Sequence, residues 1–324
     1  PFVLTNVVGL DNVAAAGEVA PSVIWAFYIG ASVLLGSVLW TVFRTKEYEP
    51  KQYYAYKGLD AKTVEAEQAV RRSMSERLME FWQVLKSSPP IMRRLALVQF
   101  FSWFSLFIMW TYLPAALTQH VWGVGIEWFD PAYLATHAEP EWVAKARGSA
   151  GDWVGILYAA QAIFSVMFAI VLTKLADALG RKLVYGLSLL AGGLGYLSMY
   201  LFQDSTLVEV NLYITQVTVA QGAVGIVLSM IGVGIAWAAI LAMPYAILAG
   251  SLPANKTGVY MGIFNFTIAA PQVICGLIAG PLLGALLGNQ AIAIIMVAGV
   301  SMILGAMSVA FIKEPNETIT VDAE

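Results

Sequence analysis

Seven apolar stretches of this chain, residues 21–43, 95–117, 153–173, 183–202, 222–249, 257–287 and 290–312, contain no Asp, Glu, Lys, Arg or His. Together they occupy more than half of its 324 residues. At a helical rise of about 1.5 Å per residue, each is long enough to cross a hydrocarbon core about 30 Å thick. Free backbone amides find no water in that core, so such segments must satisfy their own hydrogen bonds as helices. The expectation is an all-α membrane protein with seven transmembrane helices. Charged residues make up 12 % of the chain, against roughly 25 % in a soluble domain.

Orientation follows from the basic residues, which are retained on the cytoplasmic side. The connection 44–94 holds eleven of the eighteen Lys and Arg residues; Lys174, Arg181, Lys182, Lys256 and Lys313 raise the count on that side to sixteen. The opposite side has only Lys145 and Arg147. The expected topology is therefore a multi-pass protein of the cell membrane, in a bacterium the inner membrane, with residues 1–20 outside and the C-terminus cytoplasmic. The chain opens on Pro1 rather than Met and lacks the basic region and small-residue cleavage site of a signal peptide. Its apolar start Phe2-Val3-Leu4 reads as the end of an upstream helix, so this is expected to be the later part of a longer chain.

Between the spans, Val70, Met74, Leu78, Phe81 and Leu85 recur at helical spacing with Arg71, Arg72, Glu76, Arg77 and Glu80 among them. An amphipathic linker helix on the membrane face is expected there, ended by Pro89-Pro90. The outer loop 118–152 is rich in aromatic and acidic residues, which read as interfacial anchors. His120 and His137 lie in this loop with no third ligand at a metal-like spacing, and are expected to be solvated. Asp152, just ahead of the third span, is expected to be a helix N-cap. Gly276, Gly280, Gly284 and Gly288 recur every four residues and read as a close helix-packing face. The single cysteine, Cys275, excludes a disulfide within the chain.

The most specific motif is Leu175-Ala176-Asp177-Ala178-Leu179-Gly180-Arg181-Lys182, a tight turn between two spans. An Asp at a helix end and an Arg four residues on can bridge two helices, with Gly180 supplying the turn. In a partly desolvated gate such a pair can bias an alternating-access equilibrium. The motif resembles the loop pattern of the major facilitator superfamily: Asp177, Gly180, Arg181 and Lys182 match, while Thr173 stands where the pattern begins with Gly. A second set of stretches resembles the sucrose and maltose permease branch, near the glycoside–pentoside–hexuronide symporters. These are Gln99 to Phe104, Gly234-Ile235-Ala236-Trp237-Ala238, Met243-Pro244-Tyr245-Ala246, Gly258 to Asn265, and Pro271-Gln272. The resemblance implies the last seven of twelve helices. Residues 1–43 would end the N-terminal bundle, 44–94 form a cytoplasmic linker, 95–312 the C-terminal six-helix bundle and 313–324 a tail. It also implies sugar transport with a proton as coupling ion, and a missing N-terminal half as partner.

The polar groups within the spans are neutral hydrogen bonders and aromatics. Gln99, Trp103 and Trp110 share one helical face, Tyr158 and Gln161 another, and Asn265 and Gln272 a third; the permease resemblance implies Trp237 as a further binding aromatic. Amides exchange hydrogen bonds with sugar hydroxyls, and an aromatic ring packs on the apolar face of a pyranose. Helix packing is the competing reading for each residue singly. An enzyme is not expected, since no span supplies a base, a carboxylate pair or metal ligands. No cofactor is called for. The last two spans lack a Lys for a retinal Schiff base, and no phosphate loop or nucleic-acid patch is present. A non-transporting sensor built on a transporter fold is the alternative.

Overall fold

The structure, a computed structural model, describes residues 2–14, 18–46, 88–211, 216–248 and 257–312, with isolated positions between 52 and 86. The expected amphipathic helix around Val70 to Leu85 and the tail 313–324 lie outside the described residues.

Each charge-free stretch is helical over all but its end residues where it is described. The long helices are α2 (Pro21–Arg44), α3 (Pro90–His120), α5 (Glu141–Leu179), α6 (Arg181–Ser198), α7 (Gln221–Leu248), α8 (Thr257–Leu286) and α9 (Ala291–Ser308). Two short helices, α1 (Phe2–Asn6) and α4 (Pro131–Leu134), lie before α2 and between α3 and α5. Their boundaries follow local chemistry. Pro21, Pro90 and Pro131 open α2, α3 and α4, where a missing N–H costs nothing. Gly180, at φ +88°, breaks the chain between α5 and α6 in a conformation that penalises any side chain. Gly288 and Asn289 turn α8 into α9 with positive φ at both. The Gln119 side chain then caps α9, accepting from the Ala291 N–H at 2.7 Å and donating to the Asn289 carbonyl at 3.3 Å.

Two features differ from the sequence expectation. Helix α5 has 39 residues, about 58 Å of helix, so it overshoots the 153–173 span by about three turns at its start. Residues 207–220 also include a hairpin, β1 (Leu207–Asn211) antiparallel to β2 (Gln216–Ala220), with Leu207 opposite Ala220 and Asn211 opposite Gln216. Its alternating exposure along β1 is that of a ribbon packed on one face.

Helices α3 and α5 to α9 pack as one bundle: α3 against α8 and α9, α6 against α7 and α9, and α7 against α5. Buried serines stitch it together. Ser105 donates to the Ala298 carbonyl at 2.7 Å, Ser301 to the Phe101 carbonyl at 2.9 Å, and the Ser198 and Ser229 hydroxyls share a 2.8 Å bond. The tight crossings use glycines other than the expected stripe. A Cβ on Gly195 would stand 2.6 Å from the Ser229 carbonyl, and one on Gly232 would strike the Ala191 carbonyl, so α6 and α7 approach backbone to backbone. Gly276 and Gly280 face Phe107 and Tyr112 of α3, each at an ordinary 3.9 Å, and are exposed. Helix α2 stands apart, apolar all round with only Ser22 buried. Such a helix belongs in lipid or against another apolar bundle.

Candidate functional site

Midway along the bundle α3 and α7 bring three tryptophans into contact. Trp103 and Trp110 lie two turns apart on α3, and Trp237 of α7 lies against both. The ring centroids are 6.3 Å apart for Trp103–Trp110, 6.0 Å for Trp103–Trp237 and 5.9 Å for Trp110–Trp237, all edge to face. This geometry sets ring edges against the negative π-faces. Trp103 is 8 % exposed and Trp110 38 %, so the cluster runs from the packed interior to an open surface.

Helix α5 reaches the same level. The Tyr158 hydroxyl donates to the carbonyl of Met109, the neighbour of Trp110, at 3.4 Å. One turn on, the Gln161 backbone is so near Gly234 of α7 that a Cβ there would lie 2.7 Å from the Gln161 carbonyl. Gln161 itself is 6 % exposed. Thus Gly234 seats α5 against α7, and Trp237 follows one turn later.

Gln99 is fully buried one turn before Trp103, and its Oε1 accepts from the Tyr185 hydroxyl of α6 at 3.3 Å. Its Nε2 and the Trp103 Nε1 have no acceptor among the described residues. Two buried N–H donors four residues apart on one helix face are thus left for an acceptor from elsewhere. Each unsatisfied donor costs about 1–3 kcal/mol.

The remaining predicted binding residues stand apart from this set. Asn265 of α8 is exposed and accepts from the Tyr245 hydroxyl at 3.5 Å. Gln272 donates to the Ile268 carbonyl of its own helix at 3.1 Å. Neither is brought to the tryptophans by a described contact.

At the basic end of the bundle, Asp177 and Arg181 are not joined as an ion pair among the described residues. The helix bridging expected of that pair is made instead by the two cations. Arg181 Nη1 donates to the Ala246 carbonyl near the end of α7 at 3.2 Å, and Lys182 Nζ to the Ala310 carbonyl after α9 at 2.9 Å. Carbonyls at helix ends lack intrahelical donors, which makes them natural partners for cations. Gly180 supplies the turn, as its position in the motif predicts.

At the opposite end Asp152 is not an N-cap. It lies in the interior of α5, 5 % exposed, and accepts from Thr5 Oγ1 at 3.2 Å and Asn12 Nδ2 at 2.8 Å. A cavity of about 240 Å³ beside it is lined by Asn12, Glu139, Arg147 and Gly148 among others. The charge at Asp152 ends the apolar span in the sequence without ending the helix. The periodic Val143, Ala146, Ala150, Trp153 and Leu157, buried in the structure, carry the helix back past Asp152 to Pro140. His120 also differs from expectation: as the last residue of α3 it bonds the Tyr200 carbonyl at 3.0 Å and stacks on that ring. His137 is exposed and stacks on Tyr133.

The family model for the Major Facilitator Superfamily matches residues 131–324, more than half of the chain. No curated protein matches it.

Proposed function

The chain belongs to the major facilitator superfamily of membrane transporters, and from that premise we propose that it forms the sugar-binding later half of a secondary transporter for a disaccharide such as maltose or sucrose. The observation that carries this reading is the Trp103, Trp110 and Trp237 cluster beside the two unpartnered donors, Gln99 Nε2 and Trp103 Nε1. A pyranose offers both complements, an apolar face for the rings and hydroxyl oxygens for the N–H groups. Tyr158 and Gln161 complete the wall from α5. Asn265 and Gln272 belong to it when α8, already packed on α3, shifts toward α7 in another state of the cycle.

In this reading residues 95–312 rock against an upstream half, with 44–94 as the cytoplasmic linker. The turn Asp177 to Lys182 is the gate: Arg181 and Lys182 hold α6 to α7 and α9 in one state, and Asp177 exchanges for those carbonyls in the other. The proton is the coupling ion. In this reading its acid belongs to the upstream half; supporting that, Asp152 lies six residues, about 9 Å along the helix, from even Tyr158.

The test is counterflow in proteoliposomes holding the full-length protein, with labelled maltose and sucrose beside an amino acid and an organic cation. Sugar exchange that falls in Gln99→Leu and Trp237→Ala supports the reading. Exchange of the other solutes but neither sugar would overturn it.

A further inference from the structure

A wide groove among the described residues lies away from the tryptophans, between α6 and α9 on the outer surface of the bundle at its basic end. It has a volume of about 930 Å³, and its apolar walls include Leu183, Leu187, Leu190, Ile303 and Met307. Arg181 and Lys182 stand at its mouth. None of its lining residues among the described ones is acidic. We propose that this groove is a binding site for an anionic phospholipid, with its phosphate on Arg181 and Lys182 and one acyl chain laid between α6 and α9.

Three observations support that occupant. From Lys182 to Leu190 the groove runs eight residues along α6, about 12 Å, close to the hydrocarbon depth of one leaflet, about 15 Å or half of a ~30 Å core. Its walls face outward: Leu183, Leu187 and Met307 are each at least half exposed. In a membrane that surface meets acyl chains. Its polar end is cationic and still has donors to give. Arg181 uses one N–H on Ala246 and Lys182 one on Ala310, out of five and three respectively. Charge-assisted bonds to phosphate oxygens fit both. Asp177, exposed on the preceding turn, is the acidic group near these cations in sequence, and it disfavours a free anion that lacks an acyl anchor.

A lipid so placed would hold together the two elements that the cations already clip. It would bridge the start of α6 and the end of α9, and stabilise the state in which Ala246 and Ala310 are capped. The inference rests on the chain's membrane-spanning helices and is independent of which solute is carried.

Native mass spectrometry of the purified full-length protein, given phosphatidylglycerol, phosphatidylcholine or inorganic phosphate, tests it. Phosphatidylglycerol should be retained through detergent washes and phosphatidylcholine should not. Arg181→Gln with Lys182→Gln should lower that retention by about thirtyfold, each cation near anionic lipid being worth about fivefold. The charge-keeping pair Arg181→Lys and Lys182→Arg should restore it, which separates charge from folding. Gly186→Phe, which fills the groove, should lower lipid retention too, and Lys145→Gln at the other end should leave it unchanged. Equal retention of the two lipids, or full displacement by millimolar phosphate, would overturn the proposal. So would phosphatidylglycerol binding that appears only after residues 313–324 are deleted, because the tail would then be the occupant.

Discussion

Asn12 Nδ2 donates a 2.8 Å hydrogen bond to Oδ2 of Asp152, tying the segment ahead of α2 to the interior of α5 across 140 residues. Thr5 adds a second bond to the other oxygen at 3.2 Å. A carboxylate that is 5 % exposed needs such donors, because burial without them is expensive. The clamp thus fixes where the chain enters α2.

The first prediction is that Asp152→Leu loosens this clamp. Losing the acceptor leaves two part-buried donors, at about 1–3 kcal/mol each, while Asp152→Asn keeps a carbonyl oxygen and costs less. Thermal melting and protease cutting within residues 2–14 read both effects. Equal melting and cutting in Asp152→Leu and the parent would show that the clamp carries no stability.

The second prediction compares glycines. Gly232→Ala drives a methyl into the Ala191 carbonyl and must push α6 from α7, at about 1–3 kcal/mol for overpacking. Gly276→Ala meets only the Phe107 ring edge at 3.9 Å and gains helix propensity, up to about 1 kcal/mol. The melting temperature should fall in the first and hold or rise in the second. The reverse order would place the close helix crossing on α8.

These two variants also show what the sequence could and could not reveal. Exclusion of charge from hydrocarbon acts on each residue alone, so seven spans were legible without partners. The period-four glycines of α8 carry a known packing signal, yet the backbone contact is made by Gly195 and Gly232 on other helices. Glycine spacing tells that a face is smooth, and not what lies against it. Likewise Gln99 and Trp103 were readable as one face of α3. That Tyr185 would claim the Gln99 oxygen and leave its nitrogen free depends on a helix 86 residues away. The charge of Asp152 marks the end of the apolar span but not of the helix, because in a helix longer than the bilayer a carboxylate can sit beyond the membrane edge. The place of Trp237 beside Trp103 and Trp110 is likewise a matter of tertiary structure, set by the crossing of α3 and α7.

The third prediction concerns Arg181. Arg181→Ala frees the Ala246 carbonyl and, if the proposed gate holds one state of the cycle through this contact, should lower the maximal transport rate more than sugar affinity. Asp177→Asn should leave melting of that state unchanged and still slow transport, because Asp177 is unpaired with Arg181 there. A large loss of affinity at unchanged maximal rate in either variant would move these residues from the gate to the binding site.

The last prediction is topological. Lys145 sits in the overshooting first turns of α5, its ammonium 2.7 Å from Glu141, with both side chains more than two-thirds exposed. An ion pair this open is weak, below about 1 kcal/mol, and leaves the amine free to react. The basic residues of 44–94 crowd the other side of the membrane in the proposed orientation, and exposed Lys86 is among them. A membrane-impermeant amine reagent applied to sealed cells should therefore label Lys145, and should reach Lys86 only after the membrane is opened. Lys145→Arg supplies the control, removing the outer signal while leaving topology intact. Labelling of Lys86 in sealed cells would invert the orientation, and with it place the Asp177 to Lys182 turn and the α6–α9 groove at the outer leaflet.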